Sequence, residues 1–111
     1  MSGAELLCVI TNDAWFGRTA AAEQHMAKSV FRAVENHRYL IRAAATGISC
    51  IIDPRGRILA QCGLFQPGVL VHDVWTDTDR TFYVAHGNWL VYVCLVAICL
   101  LAIVTSLRRP E

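Results

Sequence analysis

The sequence predicts an α/β or α+β domain followed by one transmembrane helix, and three observations carry that expectation. A short apolar run from Glu5 to Thr11 stops at the polar pair Asn12-Asp13. A longer segment then repeats apolar residues at three- and four-residue intervals, and an uncharged stretch from Trp89 to Leu107 nearly closes the chain.

Glu5 to Thr11 (Glu-Leu-Leu-Cys-Val-Ile-Thr) has no alternation, which predicts a strand buried on both faces and halted by polar turn residues. Such a strand needs neighbours on both sides, so part of its surroundings is expected from chain upstream of Met1. Asn12 to Ala22 is expected to be a loop pivoting at Gly17, because glycine accepts backbone angles that other residues resist. A helix is expected from about Glu23 to Ala44, where Met26, Val30, Ala33, Val34, His37 and Ile41 form one apolar stripe. Lys28, Arg32, Glu35 and Arg38 fall mostly off it, and Arg32 and Glu35, one turn apart, are placed to pair.

Ile48 to Ile52 and Arg57 to Cys62 flank Asp53-Pro54-Arg55-Gly56, whose proline and glycine supply turn chemistry, so a hairpin is predicted. Gly68 to Val74 is expected to add a fourth strand. The polar stretch Thr76 to Arg80 then leads through Gly87-Asn88 into the span.

At ~1.5 Å rise per residue, a helix over Trp89–Leu107 spans about 28 Å, close to the hydrocarbon thickness of a bilayer. A core helix in so small a domain would keep a polar face, and none is visible. Trp89 fits an interfacial anchor, and Arg108 and Arg109 place the C-terminus in the cytoplasm by the positive-inside rule. Residues 1–87 then lie across the membrane, yet Met1-Ser2-Gly3-Ala4-Glu5 has no signal-peptide pattern, so upstream membrane helices are expected to precede this chain. The organisation read from the sequence is a globular part over residues 1–87, the membrane helix over 88–107 and a tail over 108–111.

Hydrophobic residues make up 55% of the 111 residues, and most of the excess lies after Asn88. A net charge of +1 and the lack of a basic stripe argue against a nucleic-acid partner. Cys8, Cys50, Cys62, Cys94 and Cys99 lack metal-ligand spacing, so neither a metal nor another cofactor is expected.

The words along the chain are more specific than its architecture. Asn12-Asp13-Ala14-Trp15-Phe16-Gly17 is followed by Glu23-Gln24-His25-Met26-Ala27, then Arg32-Ala33-Val34-Glu35. Arg42-Ala43 comes next, then Thr46-Gly47-Ile48-Ser49 and Ile52-Asp53-Pro54-Arg55-Gly56-Arg57-Ile58. In this order and spacing, from roughly Leu6 to Arg109, they resemble the C-terminal end of the apolipoprotein N-acyltransferases of the nitrilase, or carbon-nitrogen hydrolase, superfamily. The resemblance implies the C-terminal portion of a nitrilase-like αββα sandwich, facing the periplasm and anchored in the bacterial inner membrane by the last helix.

Members of that family move an acyl chain from a phospholipid to the N-terminal amine of a diacylglyceryl-modified lipoprotein cysteine, through a cysteine thioester. The resemblance implies a phospholipid donor, a lipoprotein acceptor and no cofactor. Its glutamate base, oxyanion-stabilising lysine and nucleophilic cysteine belong before the Asn-Asp-Ala-Trp-Phe-Gly block, hence upstream of Met1. Cys8 lies inside a strand and Lys28 inside a helix, so both read as structural, and no catalytic residue is assigned in this chain. Asn12 and Asp13 are expected to brace the loop. Trp15 and Phe16 would wall an acyl pocket or plug the sheet end, and His25 would bond the loop or touch substrate. Ala45 stands where many relatives have asparagine. The expectation is an acyltransferase fragment inactive alone, complemented by an upstream half; the alternative is a small membrane-anchored binding or regulatory module derived from that enzyme.

Overall fold

The computed structural model describes residues 3–108. A single sheet in the order β1-β2-β3-β4 is built from β1 (Leu6–Thr11), β2 (Tyr39–Ala44), β3 (Ser49–Ile52) and β4 (Ile58–Cys62). Helix α1 (Ala20–Asn36) connects β1 to β2, which pair in parallel from Leu6↔Tyr39 to Thr11↔Ala44. β2, β3 and β4 are mutually antiparallel, and a bulge lies between Ile51 and Ile52. A one-turn helix α2 (Phe82–His86) precedes α3 (Trp89–Leu107).

α1 begins where Thr19 accepts a hydrogen bond from the Ala21 N–H, 3.4 Å away, and it ends at Asn36 rather than at the expected Ala44. His37 adopts a left-handed conformation (φ 51°), and the Arg38 N–H reaches back to the Ala33 carbonyl at 3.1 Å, closing the helix. The spacing that linked His37 to Ile41 was coincidental. In Tyr39–Ala44 the buried residues are Leu40 and Arg42, which is the period of a strand, and pairing with β1 on one side and β3 on the other outweighs the helical pattern.

The core lies between α1 and one face of the sheet. Ala33, Leu40, Cys50 and Ile52 are fully buried there, with Leu7, Val9, Met26 and Val30 packed around them. Gly56 (φ 82°) turns the β3–β4 hairpin, and an added Cβ would lie 2.9 Å from a Val34 methyl, so α1 and the hairpin touch where only glycine fits. Asp53 secures the same turn by accepting from the Arg55 and Arg57 N–H groups at 2.9 and 2.8 Å and from Arg57 Nε at 2.6 Å.

The opposite face is apolar and largely bare. Alternation turns Leu6, Cys8 and Ile10 of β1 and Ile41 and Ala43 of β2 away from α1, and Ile10 is 84% exposed. Among the described residues β1 is therefore an edge strand with one covered face; the second cover that its composition calls for is the part expected from chain upstream of Met1. The fourth strand expected over Gly68 to Val74 does not form. That segment crosses the bare face, where Gly68 and Leu70 line a cavity of about 170 Å³ with Ile41, Ala43 and Ile51. It lies over the face instead of along an edge, so it has no ladder to join.

α3 is the one helix among the described residues long and apolar enough to cross a membrane: 19 residues, mean hydropathy 2.8, with none of the span buried in the protein. Phe82 stacks on His86 at 4.1 Å and meets Trp89 edge-on at 5.3 Å, an aromatic cluster at the start of the span. Arg108 caps its far end by donating its N–H to Val104 O; Arg109 lies outside the described residues.

Candidate functional site

At the carboxyl ends of the parallel strands β1 and β2, where open α/β sheets commonly place ligand sites, the chain leaves β1 through Asn12 and Asp13. Asn12 Oδ1 accepts from the Ala14 N–H at 3.1 Å, an Asx turn that starts the 3₁₀ turn Ala14–Phe16. Gly17 ends that turn at φ 54°.

Asp13 points inward and is only 2% exposed. Its Oδ1 accepts from Thr11 Oγ1 at 3.0 Å and lies 2.9 Å from His25 Nδ1 on α1. Its Oδ2 accepts from Arg42 Nη2 at 2.7 Å. Arg42, equally buried in the middle of the sheet, also donates Nη1 to Ser29 Oγ and Nε to Ile48 O, both at 3.1 Å. One side-chain knot thus joins β1, α1, β2 and the turn before β3. The Arg42–Asp13 pair satisfies a carboxylate and a guanidinium that would be costly to bury separately.

Burial pushes the Asp13 carboxyl up, but the bonds from His25 and Thr11 and the charge of Arg42 together outweigh it and hold the group below its usual 3.8. Asp13 is therefore an anion at neutral pH. His25 Nδ1 lies within bonding distance of both Asp13 and Arg42 Nη2, at 2.9 and 3.2 Å. A proton on Nδ1 serves Asp13; a bare Nδ1 accepts from Arg42.

Gly47 closes the site from the β2–β3 turn. A Cβ there would run into Asp13, 2.9 Å from its Cβ and Cγ and closer still to Oδ2, so this turn presses its backbone onto the carboxylate. The neighbouring Thr46 Oγ1 is the one buried side-chain polar atom without a partner among the described residues. The Thr46 carbonyl accepts from the Phe65 N–H at 3.0 Å, and Arg18 lies 5.3 Å over the Phe65 ring, so three loops meet here.

Trp15 stands at the rim, 88% exposed. The side chain of Phe16 lies outside the described residues. Asn12, Asp13 and His25 are brought together on one loop–helix junction, while Trp89 and Arg108 belong to α3 and take no part in it. Arg32 and Glu35 pair on the exposed side of α1 at 3.0 Å, away from the knot. Arg42, Ser29 and Gly47 were not singled out as site residues. The available signal was an arginine in the otherwise apolar Tyr-Leu-Ile-Arg-Ala-Ala, since a charge at a strand's buried position demands a counter-charge.

Chemically, the site can fix a loop and present an indole. Cys50, opposite Arg42 in the sheet, is buried, and burial raises its thiol above the usual value; Cys8 sits exposed on β1. No group of three metal-ligating side chains occurs among the described residues.

The family model for carbon-nitrogen hydrolases matches residues 1–81. The chain is 44% identical over 108 residues to an apolipoprotein N-acyltransferase of Geobacter metallireducens, covering 97% of this chain and 21% of that protein. Similar proteins of the same name occur in Chlorobaculum tepidum, 37% identical over 107 residues (96% of this chain, 20% of that one), and in Nitrosomonas europaea, 43% over 99 residues (89% and 20%). The chain spans about a fifth of the length of these curated relatives.

Proposed function

From the premise that this chain belongs to the carbon-nitrogen hydrolase family, we propose that it is the C-terminal part of an apolipoprotein N-acyltransferase. The observation that carries this reading is that relatives bearing that name align over nearly the whole chain, the apolar α3 included. In the proposed reaction a cysteine thiolate takes the acyl group from a phospholipid ester, releasing the lysolipid alcohol. The amine of a diacylglyceryl-cysteine then takes the acyl group from the thioester and the thiol is regenerated. The cysteine, its glutamate base and the oxyanion-stabilising lysine come from upstream of Met1.

The share assigned to this chain is positioning. Asn12 and Asp13 shape the loop after β1, His25 and Arg42 hold Asp13, and Trp15 with Phe16 walls the acyl path. The bare face bearing Leu6, Cys8, Ile10, Ile41 and Ala43 is the surface on which the rest of an αββα sandwich would pack. Trp89 and the arginines after α3 set the orientation, with residues 1–87 periplasmic and the C-terminus in the cytoplasm of the inner membrane.

Two measurements test this. Acyl transfer from phospholipid to a diacylglyceryl-cysteine peptide is expected to be absent for the 111-residue chain alone, and turnover would defeat the assignment of the chemistry to upstream residues. The coding sequence upstream of Met1 is expected to contain a glutamate, a lysine and a Cys-Tyr-Glu-like word; unrelated sequence there would instead favour a membrane-anchored module.

A further inference from the structure

We infer that the cavity at the amino-terminal end of β1 and β2 is a binding site for a phosphate oxyanion, held by Arg38 and Arg80. This site lies at the opposite end of the sheet from Asp13 and is independent of the acyl-transfer reading. The cavity measures about 130 Å³ and is lined by Gly3, Ala4, Arg38, Thr78, Arg80 and Val84. Against ~30 Å³ for a liquid water, it has room for a small tetrahedral anion.

Arg38 is 5% exposed, yet no carboxylate lies within ion-pair distance of it or of Arg80 among the described residues. Its Nε donates to Ala4 O at 2.9 Å, and its Nη1 donates to His37 O at 2.9 Å and Asp79 O at 2.7 Å. A guanidinium has five N–H donors, so the two on Nη2 take no partner among the described residues. Nη2 is not sealed in either, because the one sealed, unpartnered side-chain atom among the described residues is Thr46 Oγ1. Nη2 thus keeps some accessible surface, and Arg38 is among the residues that line the cavity.

The carbonyls fix the direction of the guanidinium fork without cancelling its charge. Asp77 feels the charge of Arg38, but its hydrogen bond and its close ion pair go elsewhere: its Oδ1 accepts from the Asp79 N–H at 2.9 Å, and its Oδ2 lies 3.7 Å from His37 Nε2. A buried guanidinium whose hydrogen bonds all go to carbonyls, with a second arginine on the same cavity, suits an oxyanion of more than one oxygen. Val84 places this cavity against α2, which leads into the aromatic cluster of Phe82, His86 and Trp89 at the start of the span. That position gives two sources for the group, a lipid headgroup or free phosphate.

The experiment uses the full chain in dodecyl maltoside, which carries no phosphate, and follows the thermal unfolding midpoint during titration with inorganic phosphate at constant ionic strength. A saturable rise is expected, with acetate producing none. Arg80 is exposed, so Arg80→Gln should fold normally, and it should weaken the phosphate response by about tenfold or more. Arg38→Lys should weaken it too, because a point charge cannot replace the fork. Phosphatidylglycerol added to the micelles separates the sources: competition with phosphate assigns the site to a headgroup, and undiminished phosphate binding assigns it to a soluble anion. No saturable response, an equal response to acetate, or a response unchanged in Arg80→Gln overturns the inference.

Discussion

Arg38 and Arg42 lie four residues apart, both are buried, and they solve the burial of a guanidinium in different ways. Arg42 meets a carboxylate 2.7 Å away inside the sheet and spends its other nitrogens on Ser29 and Ile48. Arg38 hydrogen-bonds only to carbonyls and lines a cavity. A guanidinium bonded to a buried carboxylate fastens structure, whereas one bonded only to carbonyls leaves room for an anion. Burial alone does not separate the two cases; the identity of the acceptors does.

The sharpest way to break the comparison is to remove Arg42. Arg42→Met leaves Asp13 buried without its guanidinium counter-charge and is expected to cost about 3–5 kcal/mol in denaturant unfolding. Combining it with Asp13→Asn should recover part of that loss, since the penalty lies in the stranded charge. If the double variant is no more stable than the single, the pair is not coupled as the geometry requires.

A smaller effect is expected at Gly47. Gly47→Ala drives a methyl into Asp13 without touching a charge, so a loss of roughly 1–3 kcal/mol should appear in the same unfolding measurement. Asp13→Gly in the same background should relieve the clash but not restore the knot.

The mildest perturbation is acid, which changes a proton and no packing. The folded-state pKa of Asp13 lies below the unfolded 3.8, so its contribution is present above about pH 4 and fades as the pH falls through the lower folded value. Unfolding midpoints measured from pH 6 downward should fall there, and the part due to this group should vanish in Asp13→Asn.

The hairpin, the long apolar helix α3 and the pivot at Gly17 were legible because each rests on local chemistry: Pro54 and Gly56 in a turn, an uncharged run, a glycine at positive φ. The division between α1 and β2 was not legible. His37 is no usual helix stop, and Ile41 continues the apolar spacing; only the neighbours that pair with Tyr39–Ala44 decide for a strand. Leu70 misled in the opposite sense, since Val69 and Val71 alternate with it as in a strand although the segment lies across the sheet rather than along its edge. Asn12, Asp13 and His25, named from their words, come together at one loop–helix junction. Arg42 required knowing that a residue 29 positions away returns to the same end of the sheet.

The connection from the sheet to α3 has a mechanical side. After β4 the chain wanders without regular structure, but before α2 it is stitched to the end of α1: Thr81 Oγ1 donates to Glu35 O at 2.5 Å, and Arg38 holds Asp79 O. On the proposed membrane placement of α3, this stitch joins the span to the α1–β2 corner. The segment between Cys62 and Asp79 lies outside this stitch, so α3 is tied to the sheet by the hydrogen bonds at the end of α1 and not only through the chain that follows β4.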